Sequence, residues 1–255
     1  MIDLSRYLEN DLKNKYSFLM LDTVDSTNTL AKQLAKEGVK MPLVIIADHQ
    51  SAGRGRLGRS FYSPSEAGLY MSVLIDPKSE NIDLGLLTQF AAVATSKAIE
   101  KLCSTGVGIK WVNDILIDGK KICGILCEAG TDENGVGFAV IGIGVNILQK
   151  KFPDDIKDIA GSIYSTTGAI VDRAELAAQI IKNLDSYSKD FMDDYRARSI
   201  VLGRVVRVIN HDNEYLATAV AINDDGSLLV VDDTKEERNL CFGEISLRLD
   251  KDALM

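Results

Sequence analysis

The apolar positions follow helical spacing in some stretches and strand-like runs in others. Leu30, Ala31, Leu34 and Ala35 recur as one helix face. Asp22 to Asn28 before them is polar and rich in cap-forming side chains, and Gly38 marks the helix end. Leu43 to Ala47 and Leu69 to Ile75 are short apolar runs that predict buried strands. Leu87, Ala91, Ala94 and Ala98 repeat at helical spacing, which predicts a long apolar helix over Leu84 to Cys103.

Ile109-Lys110-Trp111 and Ile115-Leu116-Ile117 follow as strands. Asp118-Gly119 is a hairpin turn with Lys121 to Glu128 returning, and Asn134-Gly135 is a second turn leading into Phe138 to Asn146. Asp172 predicts the cap of a helix reaching Tyr195, with Leu176, Ile180 and Leu184 on one face. From Ile200 the texture changes to short β runs: Arg204 to Ile209, Tyr215 to Ile222, Leu228 to Val231 and Ile245 to Leu249. Turns such as Asn223-Asp224-Asp225-Gly226 separate them, so a small all-β unit is expected.

Charge changes the picture in one place. The 255-residue chain has a formal net charge of -8, which disfavours general affinity for nucleic acid. Yet Gly53-Arg54-Gly55-Arg56-Leu57-Gly58-Arg59 puts three arginines and three glycines into one short loop. Glycine lets backbone approach a ligand closely, and arginine keeps its charge and offers a fork of donors. The loop suits a phosphate or a carboxylate; a solvated basic loop and a nucleic-acid patch are the alternatives.

No run of eighteen apolar residues occurs, and Met1-Ile2-Asp3-Leu4 lacks a signal-peptide pattern. Cys103, Cys123, Cys127 and Cys241 form no Cys-x-x-Cys pair, and the only histidines are His49 and His211. The cysteines read as reduced packing residues, which implies the cytoplasm.

Further segments carry chemistry. Asp25 to Asn28 offers more polar groups than one cap needs, and the surplus suits a small polar ligand. Lys110-Trp111-Val112-Asn113-Asp114 joins a cation, an amide and a carboxylate at a strand end. Lys110 would suit a phosphate and Asp114 a magnesium ion, unless the segment is simply a polar turn beside a buried tryptophan. Lys121 opens a nearly apolar strand, where an ammonium is costly unless it meets an anion; a solvated hairpin lysine is the alternative. Gly124 inside that strand suggests close approach by something other than a side chain. With no Ser/His/Asp set and no P-loop, the inventory suits phosphoryl or adenylyl chemistry.

In order and spacing, six segments resemble biotin protein ligases: Asp25 to Asn28, Gly53 to Arg59, Lys110 to Asp114, Lys121 to Leu126, Gly142-Ile-Gly-Val-Asn146 and Gly243 to Arg248. The resemblance implies an α+β fold. A catalytic domain over 1–198, like class II aminoacyl-tRNA synthetases, has a mixed sheet with flanking helices, and 199–255 forms a small SH3-like β barrel. It implies ATP and magnesium, with biotin as the acid that is activated and then passed to a lysine of a biotin carboxyl carrier domain.

By resemblance, Ser26, Thr27, Asn28, Gln50, Gly53, Arg54, Gly55, Arg56, Lys121, Gly124 and Leu126 hold biotin, with Lys121, Arg54 and Arg56 carrying the chemistry. Arg59, Lys110, Asn113, Asp114, Asn146 and Arg248 serve the nucleotide, and Asp114 its metal. The loop from Gly53 to Arg59 is expected to order when biotin or the adenylate binds.

The chain departs from the family at Val112, usually proline, and at Phe61, usually tryptophan; Leu148 to Ser165 matches the family's adenine-covering loop poorly. Strict alternation sets Lys121 opposite Gly124 and Leu126, so either the strand bulges or Lys121 reaches over its end. Some members double as repressors through an N-terminal winged helix. Only about twenty residues precede Asp22, so no DNA-binding role is expected. Members pair through sheet edges, which leaves a homodimer open. The rival readings are a lipoate or octanoyl ligase of the same fold and a non-catalytic biotin sensor.

Overall fold

The computed structural model describes residues 2–78, 83–132, 135–186, 190–210, 213–241 and 245–249, the last segment by its backbone alone. Two sheets organise it. Helix α1 (Asn10–Lys15) leads into strand β1 (Ser17–Val24), helix α2 (Thr27–Lys36) and strand β2 (Leu43–Gln50). Strand β3 (Gly68–Ile75), helix α3 (Leu87–Cys103), β4 (Gly108–Lys110), β5 (Asp114–Ile117), β6 (Lys120–Asp132) and β7 (Gly135–Asn146) complete the larger sheet. Its strand order is β1-β2-β3-β7-β6-β5-β4. Only β1 and β2 pair in parallel, because α2 crosses between them; the other neighbours are antiparallel.

Helices α4 (Ile163–Thr167), α5 (Arg173–Asp185) and α6 (Phe191–Ala197) follow. Strands β8 (Val205–Asn210), β9 (Asn213–Ile222), β10 (Leu228–Asp232), β11 (Glu237–Leu240) and β12 (Ile245–Leu249) form a separate antiparallel sheet in the order β11-β10-β9-β8-β12. A mixed α+β fold with a small all-β unit is therefore observed.

The main core lies between the larger sheet and α3, α5 and α6, and it continues into Val206, Val208, Ala219, Leu228 and Val230 of the small sheet. A smaller cluster, including Ala31, Ile45 and Leu74, joins α2 to the opposite face. The fully buried β3 has apolar residues on both of its faces, as expected of a strand covered on each side.

Of the polar stretch Asp22 to Asn28, Ser26 is the cap, while Asp22 to Val24 belong to β1, and Gly38 takes φ +79 beyond the helix end. Asp172 caps α5 through the Ala174 amide at 2.7 Å. The helix expected to reach Tyr195 is instead two helices. α5 stops at Asp185, and Ser186 turns its hydroxyl back onto the Lys182 carbonyl at 2.5 Å, offering the backbone an alternative to another helical turn. β1 and β11 escape the hydrophobic pattern, β11 because Glu237, Arg238 and Asn239 are all exposed. Asn134, placed in a hairpin turn by sequence, lies outside the described residues, as does the side chain of Arg248.

All four cysteines are free thiols. Among the described residues no helix is long and apolar enough to cross a membrane.

Candidate functional site

The site forms where the N-terminus of α2, the end of β2 and the middle of β6 and β7 meet. Ser26, Thr27 and Asn28 are buried there. Gln50 Oε1 accepts from the Thr27 amide at 2.9 Å and from the Thr27 hydroxyl at 3.1 Å, while Gln50 Nε2 donates to Ser63 Oγ at 3.0 Å. One glutamine thus ties the helix start to the extended segment that follows the Gly/Arg loop.

Asn28 works in the same way across a longer range. Its Nδ2 donates to the Leu126 carbonyl at 3.0 Å and to Glu128 at 2.9 Å, and its Oδ1 accepts from Ser72 at 2.6 Å. A Cβ on Gly142 would lie 2.1 Å from Asn28 Oδ1, so only glycine admits this contact.

The Gly/Arg loop is closed by its own backbone. Gly55 donates to the Arg59 carbonyl at 2.7 Å, Arg59 to Arg56 at 3.2 Å and Phe61 to Gly53 at 2.8 Å. Leu57 at φ +56 and Gly58 at φ +70 make the turn. A Cβ on Gly53 would sit 2.4 Å from the Phe61 carbonyl. Phe61 then lays its ring over β6 and β7, where a Cβ on Gly144 would meet it at 2.5 Å and one on Gly124 at 3.2 Å. The two glycines are a floor with the ring as its cover.

The cations gather at one end of that floor. Lys121 Nζ pairs with Asp114 at 2.6 Å and lies 3.3 Å from the Cβ position of Gly124. The alternation conflict is resolved by a bulge: Leu116 pairs with Lys121 and Ile115 with Cys123, which leaves Ile122 as the extra residue. The backbone of Lys121 is held on both sides, its N–H by Ile159 at 2.8 Å and its carbonyl by Gly161 at 2.9 Å.

Arg56 donates to Asn113 Oδ1 at 3.1 Å, and Asn113 Nδ2 donates to the Ile125 carbonyl at 2.9 Å. Burial lowers the proton affinity of the Arg56 guanidinium while Asp114 opposes the change, and a guanidinium keeps its charge throughout. Arg54 is more exposed and faces Glu128 at 3.5 Å. Burial pushes the Glu128 carboxyl up, but the donors Lys32 and Asn28 outweigh it and hold the group below the usual range. Tyr195 is fully buried and donates to the Val112 carbonyl at 3.0 Å. Burial pushes its phenol up, so it stays a donor.

Several of the expected residues are brought together: Thr27 with Gln50, Asn28 with the Leu126 carbonyl, Gly53 with Phe61, whose ring covers Gly124 beside Lys121, and Arg56 with Asn113. Lys110 sits opposite Asp114 in the β4–β5 register. Arg59 is in the exposed part of the loop. Asn146 is turned inward, with Nδ2 on the Gly161 carbonyl at 2.9 Å and Oδ1 accepting from Gln149 at 3.2 Å. Sequence reasoning missed Ser72, Glu128 and Tyr195, which act through partners far along the chain. Among the described residues no three His, Cys, Asp or Glu side chains converge to hold a metal ion.

A glycine floor on β6 and β7, an arginine loop above it and a lysine at the start of β6 make up the site. Residues 20–146 match the Biotin/lipoate A/B protein ligase family and residues 201–248 the Biotin protein ligase C terminal domain. The bifunctional ligase/repressor BirA of Bacillus subtilis is 34% identical over 219 residues, covering 82% of this chain and 67% of that protein. The biotin--[acetyl-CoA-carboxylase] ligase of Mycobacterium tuberculosis is 31% identical over 216 residues, covering 80% and 79%. The biotin protein ligase of Aquifex aeolicus, solved in complex with biotin and ATP, aligns with a TM-score of 0.79 at 29% identity over 92% of this chain and 99% of that one. The chain belongs to the biotin protein ligase family, and it is a ligase.

Proposed function

We propose that this chain activates biotin with ATP and transfers it to a lysine of a carrier domain of a biotin-dependent carboxylase. The observation that carries the reading is the position of Lys121. Its ammonium stands at the end of the Gly124–Gly144 floor, beside Asp114 and the Arg56–Asn113 pair.

In the first step a carboxylate oxygen of biotin attacks the α-phosphorus of ATP. The new O–P bond forms as the bond to the β-phosphate oxygen breaks, and pyrophosphate leaves with the electron pair. Both reactants are anions, so the site must supply positive charge before they can meet. Lys121, Arg54 and Arg56 do so from the biotin side, and Lys110 and Arg59 from the triphosphate side. In the second step an amine attacks the acyl carbon of the anhydride and AMP departs, taking the electron pair of the C–O bond.

Ser26, Thr27 and Gln50 offer the donors and acceptors that a ureido ring requires, and Gly53 and Gly55 let the loop backbone close on it. Gly124 and Leu126 line the floor. Asn113 and Asn146 act by position, the first on Arg56 and the second on the 148–165 segment. Magnesium enters with the nucleotide, since Asp114 offers it one carboxylate rather than a cage; when bound it neutralises phosphate charge. We assign the catalytic unit to 1–198 and the C-terminal unit to 199–255, and place the protein in the cytoplasm, where its four free thiols stay reduced.

The test is purified protein with ATP, magnesium and either biotin or lipoate, scored for pyrophosphate and for the acyl-adenylate. Turnover with biotin alone is expected. Turnover with lipoate alone, or none with either, refutes the reading.

A further inference from the structure

A peptide carbonyl of the small unit reaches the segment that carries Lys110 to Asp114. The turn between β9 and β10 presents the carbonyl of Gly226, which accepts from the Trp111 indole N–H at 3.0 Å and from Gln89 Nε2 at 3.3 Å. Trp111 and Gln89 are 4% and 0% exposed, so this contact is sealed from water. The turn is built for it. Gly226 takes φ +80, and a Cβ there would lie 2.2 Å from Gln89 Nε2 and 3.0 Å from Leu86 Cδ2. Its own bonds fix the turn's shape: Asn223 donates from its amide to the Ser227 carbonyl at 2.9 Å and Gly226 to the Asn223 carbonyl at 3.0 Å.

Helix α6 grips both partners of this contact. Tyr195 donates to the Val112 carbonyl at 3.0 Å, and the adjacent Arg196 donates to the Ile222 carbonyl at 2.9 Å and pairs with Asp224. Two consecutive residues of the Lys110–Asp114 turn are therefore held from outside the larger sheet, one by its side chain and one by its carbonyl. The residues on either side of them, Lys110 and Asn113–Asp114, are those set against the nucleotide and the cation cluster.

We propose that the Asn223–Gly226 turn is a positioning element for the nucleotide half of the site, acting through Trp111, with Gly226 as its contact residue. The proposal rests on the reading that Lys110 to Asp114 serves ATP.

The test uses the full chain with Gly226→Ala, Trp111→Phe and the double variant. Trp111 is the only tryptophan, so emission excited beyond the tyrosine absorption band reports the surroundings of this indole. In Gly226→Ala the emission is expected to move to longer wavelength. The KM for ATP in biotin-dependent pyrophosphate release is expected to rise about tenfold, with biotin affinity within about twofold of the parent. Trp111→Phe, which leaves the turn intact, should reproduce the ATP effect, and the double variant should lose no more than the worse single one.

A shifted emission with an unchanged KM for ATP, equal losses for ATP and biotin, or additive losses in the double variant would each overturn the proposal. If Gly226→Ala does not fold, an unchanged KM for ATP in Trp111→Phe overturns it instead. A parent protein that releases no pyrophosphate refutes the proposed activity separately, and the emission shift then reports only that the contact exists.

Discussion

Adding one methyl group at Gly144 tests the Phe61 cover directly. The three atoms nearest to a Cβ at Gly144 all belong to the Phe61 ring, at 2.5, 2.7 and 3.1 Å. Carbon atoms settle at about 3.5–4.0 Å, so the ring must retreat by roughly 1 Å or more. Overpacking of this kind costs about 1–3 kcal/mol. For a chain of this size that is a fall in Tm of roughly 2–12 °C. Thermal unfolding followed by circular dichroism, on Gly144→Ala, Phe61→Ala and the double variant, separates the ring from any other cause. Without the ring, the alanine should cost nothing and gain about 0.5–1 kcal/mol by restricting the unfolded chain. If Gly144→Ala is equally destabilising with and without Phe61, the cover is not what requires a glycine there, and the reasoning fails.

Lys121→Gln removes the cation but keeps much of the side chain's length. Adenylate formation should slow on the order of a hundredfold or more, or about 3 kcal/mol of transition-state stabilisation, measured by pyrophosphate release. The Glu128 carboxyl titrates below the ordinary value of about 4.3, so its contribution to stability is present above that pH and is lost as pH falls through the depressed value. Urea midpoints between pH 6 and roughly pH 3 should therefore fall more steeply for the parent than for Glu128→Gln, and parallel curves would contradict the assignment. Biotin with ATP should slow tryptic cleavage at Arg54, Arg56 and Arg59. Equal cleavage with and without the ligands would show that the loop does not close over them.

Features encoded over a few residues were legible in the sequence. The cap-rich stretch before α2, Gly38 beyond it and the hydrophobic faces of α2 and α3 depend on neighbours within a turn or two. The Gly/Arg loop and the Lys110–Asp114 segment stood out because their residue types are costly or purposeless unless they meet an anion. The clash between strand alternation and the expected side of Lys121 was itself informative, since it required a bulge or an overhang, and the structure supplies the bulge at Ile122.

Long-range pairings were not legible. Glu128 reaches Asn28, Ser72 reaches Asn28 and Trp111 reaches Gly226 across spans that no periodicity encodes. The end of α5 at Ser186, where the hydroxyl joins the backbone N–H on the Lys182 carbonyl, was likewise too local to disturb the apolar spacing before it. Gly226 looked like an ordinary turn glycine, and only its tertiary neighbours explain why nothing larger fits.

The extra link at Ile122 makes the identity of the working surface a matter of parity. A regular register, with Ile122 opposite Leu116 and Lys121 opposite Ile117, would turn the ammonium of Lys121 through the sheet, toward hydrocarbon. Deleting Ile122 would instead leave Lys121 two residues from Gly124, on the face it already occupies, so a deletant there keeps the arrangement that a straightened strand of full length would lose. Length variants across this strand therefore probe something that substitutions do not.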